Sequence, residues 1–479
     1  MSQLDPRVDE LFWNRPELSA ARTLSRGQIV VLVSLLLASL VIALQSLPLL
    51  LTLVIALSTV LYLATLAYRL LLLRVALRSP ADIHVSDEQA RAIPDEQLPI
   101  YTILVPAFRE TSVIPRTVAA LEALAYPADL LDVKLLLEED DWETIAAARA
   151  IDSRLEPEIV IVPPGSPRTK PKACNYGLLT ARGKYVTIYD VEDRPEPLQL
   201  RRVVAAFHRT PPLLACLQAK LTYHNIHQNL ITRWFTAEYE TWFGLLLPAL
   251  ARIGGPIPLG GTSMHIPRRV LEAIGGWDPH NVTEDADLGI RLQRFGYQVA
   301  VLDSTTLEEA NSDFVNWIRQ RSRWYKGYLQ TWLVHMRHPV RAWEDLGDRG
   351  FIGLNLLLGA VPLVAILNPV FWFLTALWFL VQPPSLASLL PSPIYYPALL
   401  SMLVGNFIAI YIGVIAVRVR GRSDLLGAVL LSPIYWAMMS IAAIRAFAQL
   451  LIAPSFWEKS VHGLAPSPTV EVVAEHAGH

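Results

Sequence analysis

Tyr185-Val186-Thr187-Ile188-Tyr189-Asp190-Val191-Glu192-Asp193 is a β-branched and aromatic run that stops abruptly in acids. It reads as a buried strand whose carboxyl end carries carboxylates. Upstream, Ile100 to Pro106, Val133 to Leu137 and Glu158 to Val162 are compact apolar runs of the same kind. Helices are expected between them, over about 112–125, through the alanines near 145–150 and after Lys170-Pro171-Lys172. Strand and helix alternating at this spacing predicts a Rossmann-like, mostly parallel α/β sheet, and ligands of such sheets bind at the carboxyl ends of the strands. The acidic clusters Glu138-Glu139-Asp140-Asp141 and Asp190-Val191-Glu192 both fall at such ends, as does the Ala107-Phe108-Arg109-Glu110 loop.

Further along, residues 229–252 are rich in aromatics (Trp234, Phe235, Tyr239, Trp242, Phe243); they suit core, but that density beside apolar spans favours an amphipathic helix lying at a membrane interface. Ile257 to Ser263 contains Gly260 and Gly261, where backbone can approach a ligand closely. Thr283-Glu284-Asp285 opens a short helix, and a longer one over Asn316 to Met336 carries Gln320-Arg321-Ser322-Arg323-Trp324.

This segment sits between apolar stretches. The chain has 53% hydrophobic residues and a mean hydropathy of +0.35, too apolar for an ordinary soluble enzyme. Gln28 to about Leu73 is almost uncharged, broken at Gln45-Ser46-Leu47-Pro48, and is long enough for two spans of about 20 residues each. Arg22 and Arg26 before it, and Arg69, Arg74 and Arg78 after it, put both outer ends in the cytosol. Apolar runs at Phe351 to Val381, about 396–418 and about 425–452 predict three C-terminal spans, or four if one folds as a hairpin. The organisation expected is therefore a cytosolic lead (1–27), a transmembrane hairpin (28–75), a linker (76–99), a cytosolic α/β domain (100–340), a transmembrane region (341–452) and a flexible tail (453–479). The polar lead argues against a cleavable signal. A net charge of −2 argues against nucleic-acid binding, and two cysteines, Cys174 and Cys216, support neither a disulfide framework nor a zinc knuckle.

Taken singly, each motif is weak, because acids also cap helices and line loops. As a set, Val105-Pro106-Ala107-Phe108-Arg109-Glu110, Asp140-Asp141, Asp190-Val191-Glu192, Thr283-Glu284-Asp285 and Gln320 to Trp324 resemble the membrane-bound family 2 glycosyltransferases, the group containing cellulose, chitin, hyaluronan and curdlan synthases. The resemblance covers about residues 100–335 and implies a GT-A-type domain inserted between transmembrane helices. It departs from the group in having Glu192 where many members have Asp, and in lacking the cyclic-dinucleotide-binding barrel of bacterial cellulose synthases.

The resemblance implies roles. Phe108 would stack on the nucleotide base, with Glu110 and Asp140 or Asp141 on base and ribose; Lys172 and Arg323, with Gln320, would meet the diphosphate sugar. Asp190 and Glu192 would hold Mg²⁺ or Mn²⁺, hard cations that favour carboxylate and phosphate oxygens. Asp285, beside Glu284, would be the general base, and Trp324, with Gly261 and Thr262, would receive the acceptor. The leading expectation is a processive, inverting hexosyltransferase of the plasma membrane that takes a UDP-sugar, extends a β-glycan and passes it through its own spans, with lipid around it and an envelope partner carrying the polymer onward. The alternatives are single transfer to a lipid carrier, an idle scaffold of the same fold, and a transporter, which the few charges within spans disfavour.

Overall fold

The computed structural model describes residues 5–78, 82–381, 391–454 and 456. The lead is not loose. Asp278 accepts the Ser19 hydroxyl at 3.1 Å and the Ala20 N–H at 2.5 Å, and Asn175 donates to the Val8 carbonyl at 2.7 Å. Helix α1 (Arg26–Gln45) opens on a Ser25–Gln28 capping box and gives way at Ser46 to α2 (Leu47–Arg78). Both are long and apolar enough to cross a membrane, as are Pro339–Leu377, Pro393–Val419 and Ser432–Ile452; five such helices stand among the described residues, three of them C-terminal. Nearly all of the expected tail lies outside the described residues.

The α/β domain holds one sheet of eight strands: β1 (Tyr101–Ala107), β2 (Leu131–Glu138), β3 (Glu158–Val162), β4 (Tyr185–Ile188), β5 (Arg194–Pro195), β6 (Leu214–Tyr223), β7 (Met264–Pro267) and β8 (Gln298–Glu308). Their spatial order is β3-β2-β1-β4-β7-β6-β8-β5. The first four strands are parallel, with Tyr101 opposite both Leu131 and Tyr185. The rest brings in the antiparallel pairs that make the sheet mostly, not wholly, parallel: β7 runs antiparallel to β4 and β6, β5 antiparallel to β8, and β6 parallel to β8. The sheet is thus the mixed sheet of a GT-A-like domain. The reversal matters, because it lays the loop entering β7 beside the carboxyl end of β4, where the Ser263 N–H donates to the Ile188 carbonyl at 2.8 Å.

Helices α3 (Ile114–Glu122), α4 (Trp142–Arg149), α5 (Lys170–Leu179) and α6 (Gln199–Arg209) clothe the sheet. Next, α7 (Leu230–Thr241) runs through a π-helical turn at Trp242–Leu246. Its aromatic face does not rest on an open interface: Trp234, Phe235 and Phe243 are buried in protein, and the Trp234 Nε1–H donates to the Ala428 carbonyl at 2.8 Å. Burying these rings between β6 and the C-terminal spans removes more apolar surface from water than one-sided contact would.

Two further helices complete the domain, α8 (Glu284–Arg294) and α9 (Phe314–His335), and the chain continues into α10 (Pro339–Leu354), α11 (Val361–Leu380), α12 (Ser392–Val419) and α13 (Ser432–Ile452). One apolar cluster contains Trp317 and Tyr325 of α9 together with Tyr435, Met438 and Ala442 of α13, so α9 belongs to the domain and to the helical bundle at once.

Two glycines allow the close approaches that gather the motifs. A Cβ on Gly289 would stand 1.9 Å from the Ile257 carbonyl oxygen, and one on Gly327 would stand 2.3 Å from the Thr283 methyl carbon. The Gly327→Ala variant must therefore push α9 away from Thr283, at a cost of about 1–3 kcal/mol. A lowered thermal midpoint in nanodiscs is expected for it, while Gly427→Ala, with open space at its Cβ position, should shift the midpoint little.

Candidate active site

A single cavity of about 640 Å³ runs from the carboxyl ends of the central strands into the helical bundle. Phe108, Glu110, Asp190, Glu192, Gly261 and Thr262 line one end of it, and Glu284, Asp285, Gln320, Arg323 and Trp324 close over it from α8 and α9. Most of the residues expected at the site are thereby brought together from elements far apart in sequence.

At its centre lies Lys170, the first residue of α5. Its Nζ donates to Asp190 at 2.5 Å and to the Gly261 carbonyl at 2.8 Å. Burial pulls its pKa down, but the Asp190 and Glu284 carboxylates more than offset this, and the ammonium is held charged. Lys172, expected here, is elsewhere. It is fully buried beneath the sheet end and donates to Glu138 at 3.1 Å and the Pro163 carbonyl at 2.9 Å. Two residues along a helix is about 200° of rotation, so two lysines at this spacing cannot share a face. Lys170 takes the place beside Asp190.

Asp140 and Asp141 also stand away from the cavity lining. Asp140 pairs with Arg168 at 2.9 Å. Asp141 is the N-cap of α4 and accepts the Arg109 N–H at 2.5 Å. Arg109 has φ of +59°, an uncommon conformation that this bond fixes, and it sets the turn presenting Phe108 to the cavity. Asp141 is thus a positioning residue of the Phe108 loop. The Phe108 ring has the guanidinium groups of Arg109 and Arg168 over it, 5.1 and 5.2 Å from its centroid.

The Thr262 hydroxyl is also occupied. It bridges the Ile188 carbonyl, 2.9 Å away, and the buried Asp193 carboxylate, so it is already engaged within the protein. Asp193 accepts the Asp190 N–H at 2.7 Å and closes the turn that aims Asp190 and Glu192 into the cavity.

Asp190 and Glu192 form a donor set suited to Mg²⁺ or Mn²⁺, which take one or two carboxylates and fill their shell with substrate phosphates and water. Among the described residues no group of three or more His, Cys, Asp or Glu side chains is arranged to hold a metal by itself.

Glu284 and Asp285 occupy the first turn of α8. Burial pushes Asp285 up to about 6, against the Ala286 N–H and Lys170, which pull it down. Burial and the neighbouring Asp285 charge push Glu284 further, to about 8. A group with its pKa near neutrality is suited to taking a proton at physiological pH. Glu308, at the end of β8, adds another carboxylate to the lining, raised by burial and by Asp193, Asp190 and Glu192. The Gln320 Oε1 is buried without a hydrogen-bond partner among the described residues, so it is available to a ligand donor.

Trp324 lies on an aromatic floor, near-parallel to Tyr239 (29°, 6.4 Å between centroids) with the Arg321 guanidinium 4.6 Å from its ring centre. Arg321, Glu308 and Lys170 carry no role in the motif reading. Glu308 ends a strand that its polar run Asp303-Ser304-Thr305-Thr306 disguises, whereas Arg321 lay inside the motif already singled out.

Comparison with known proteins agrees with this geometry. Residues 99–327, just under half of the chain, match the model described as glycosyltransferase like family 2. The probable glycosyltransferase YdaM of Bacillus subtilis (strain 168) is 26% identical over 235 residues, covering 48% of this chain and 56% of the relative. The β-monoglucosyldiacylglycerol synthase of Synechocystis sp. is 29% identical over 318 residues, covering 60% of this chain and 64% of the relative. The chain thus spans between about half and two thirds of these relatives. Among solved structures, the mannosyltransferase PcManGT from Pyrobaculum calidifontis, in complex with GDP-Man and Mn²⁺, superposes with a TM-score of 0.54 at 19% identity, covering 83% of this chain and 98% of that one; it shares the fold.

Replacing Lys170 by Met should lower turnover by about 10²–10³-fold through loss of a preorganised charge, read as kcat. Lys172→Met should instead act on folding, by about 1–3 kcal/mol, since it leaves Glu138 with only the longer Arg168 contact at 3.6 Å. For the acid limb, kcat/KM should fall as pH drops through about 6, because Asp285 works as a base only when ionised and protonates below its raised pKa; a profile flat to pH 5 removes Asp285 from that role.

Proposed function

We propose that the protein is an inverting, metal-assisted glycosyltransferase that moves a hexosyl group from a nucleoside diphosphate sugar, on the cytosolic side of the plasma membrane, to an amphipathic lipid acceptor. The observation that carries this reading is the continuity of the cavity. It joins Asp190 and Asp285 directly to Leu66 of α2, Val361 and Phe371 of α11, and Ile412 of α12. Its volume is about 640 Å³, and its far end is apolar. A soluble acceptor needs no such extension.

In this reading the donor base lies on Phe108 and its diphosphate faces Lys170 and Arg323, which meet the negative charge that grows as the nucleotide leaves. Mg²⁺ or Mn²⁺ on Asp190 and Glu192 would supply further charge neutralisation there. The acceptor hydroxyl, freed of its proton by Asp285, forms the new bond to the anomeric carbon from the side opposite the breaking bond. One displacement inverts that carbon, so an α-linked donor gives a β-linked product. The similarity to glycolipid synthases supports the lipid acceptor.

A second reading, stepwise extension of a β-glycan, is favoured by a different feature: the Trp324 ring on its Tyr239 floor is a flat apolar surface of the kind on which a pyranose stacks. Protein in nanodiscs with Mg²⁺ or Mn²⁺, offered UDP-glucose, UDP-N-acetylglucosamine or GDP-mannose in turn, separates the two. A radiolabelled product that partitions into organic solvent, absent in Asp285→Asn, is expected. A high-molecular-weight polymer would promote the glycan reading, and no turnover of any donor would overturn both.

A further inference from the structure

Arg69 is the feature that the proposed chemistry leaves unused. It stands on α2 about 33 Å from Leu47 at 1.5 Å per residue, close to the thickness of a bilayer's hydrocarbon core, which puts it at headgroup depth on the side of the glycosyltransferase domain. An arginine there ordinarily snorkels outward to water and lipid phosphates. This one lines the cavity: its surface is open, but it opens inward, among protein atoms. It makes no hydrogen bond or ion pair with any described residue, and the carboxylate that acts on it at longer range is Glu238.

Glu238 is already engaged. Arg321 donates to its two oxygens at 2.8 and 2.5 Å, and the Tyr435 hydroxyl donates to one of them at 2.7 Å. One carboxylate therefore faces two guanidinium groups, and this part of the cavity holds an excess positive charge. The opposite end is acidic, with Asp190, Glu192, Glu284, Asp285 and Glu308. Along the cavity the order is thus apolar wall, cation, catalytic carboxylates.

We propose that Arg69 binds the phosphate of the acceptor, and that the acceptor is an anionic lipid whose phosphate lies between its tail and its nucleophilic hydroxyl, as in a phosphatidylglycerol. This rests on the lipid-acceptor reading above and narrows it. The tail follows Leu66, Val361, Ala365 and Phe371; the phosphate meets the Arg69 guanidinium, which offers a bidentate fork to such oxygens. The terminal hydroxyl then reaches Asp285. Its oxygen forms the bond to the anomeric carbon as the bond to the diphosphate breaks, the proton passes to Asp285, and nucleoside diphosphate is released.

The test uses the full chain in phosphatidylcholine nanodiscs doped with either phosphatidylglycerol or diacylglycerol, with the donor that turns over. The wild type should glycosylate phosphatidylglycerol with a kcat/KM at least tenfold above that for diacylglycerol. Arg69→Gln should raise the KM for phosphatidylglycerol tenfold or more and erase the preference, with the KM for the nucleotide sugar within twofold; Arg69→Lys should recover part of the loss. Equal use of the two lipids by the wild type, an unmoved preference in Arg69→Gln, or stimulation by phosphatidylglycerol without sugar appearing on it each overturns the assignment. Turnover that yields only polymer, or none with any donor, overturns the lipid-acceptor reading beneath it and is recognised separately by the product.

Discussion

Crowded negative charge is the constraint on which this site depends. Asp190, Glu192, Glu284, Asp285 and Glu308 face one cavity, with Asp193 buried behind them. Carboxylates this close resist ionising together: burial raises Asp285, and burial with repulsion from neighbouring acids raises Glu284, Asp193 and Glu308. Lys170 is the cation that makes the arrangement tenable, bonded at once to Asp190 and to the Gly261 carbonyl. In the proposed reaction a nucleoside diphosphate would bring more negative charge still, which a divalent cation on Asp190 and Glu192 and the Arg323 guanidinium would offset.

The second constraint joins chemistry to the helical bundle. A buried pair such as Arg321–Glu238 gives little net stability, since desolvation cancels most of its attraction, but its geometry is specific. Here it ties α9 to α7, and Tyr435 extends the tie to α13. Gly327, by admitting α9 against Thr283, sets the same helix over Glu284 and Asp285. Moving α13 therefore moves Arg323 and Trp324 relative to Asp285.

The half of the sheet that reads plainly in sequence is the parallel half. β1 to β4 are short, apolar and covered on both faces, so composition alone marks them. β6 and β8 are concealed by Gln218, Lys220 and the 303–306 polar run, whose partners include residues distant in sequence: Gln218 meets Gly260 and Thr262, and Lys220 meets Asp82 and Asp303. The site divides the same way. Carboxylates at strand ends were legible because the fold places strand ends at the cavity. Which lysine of Lys170-Pro171-Lys172 faces inward depended on where α5 begins, and the duty of Asp141 depended on the backbone of Arg109. Neither is a property of residue type or spacing.

Arg69 shows how the same sequence feature takes on a different meaning in three dimensions. In the chain it is one of several basic residues flanking an apolar run, and orientation in the membrane accounts for all of them equally. Arg74 and Arg78 fit that account and stand outside the cavity lining, but Arg69 turns into the cavity toward a carboxylate that Arg321 has already neutralised. A cation that faces an apolar-walled cavity without a full counter-charge of its own is a ready place for something anionic to join it. Its depth limits what that can be, because at the boundary of an apolar wall the available anions are those that carry tails.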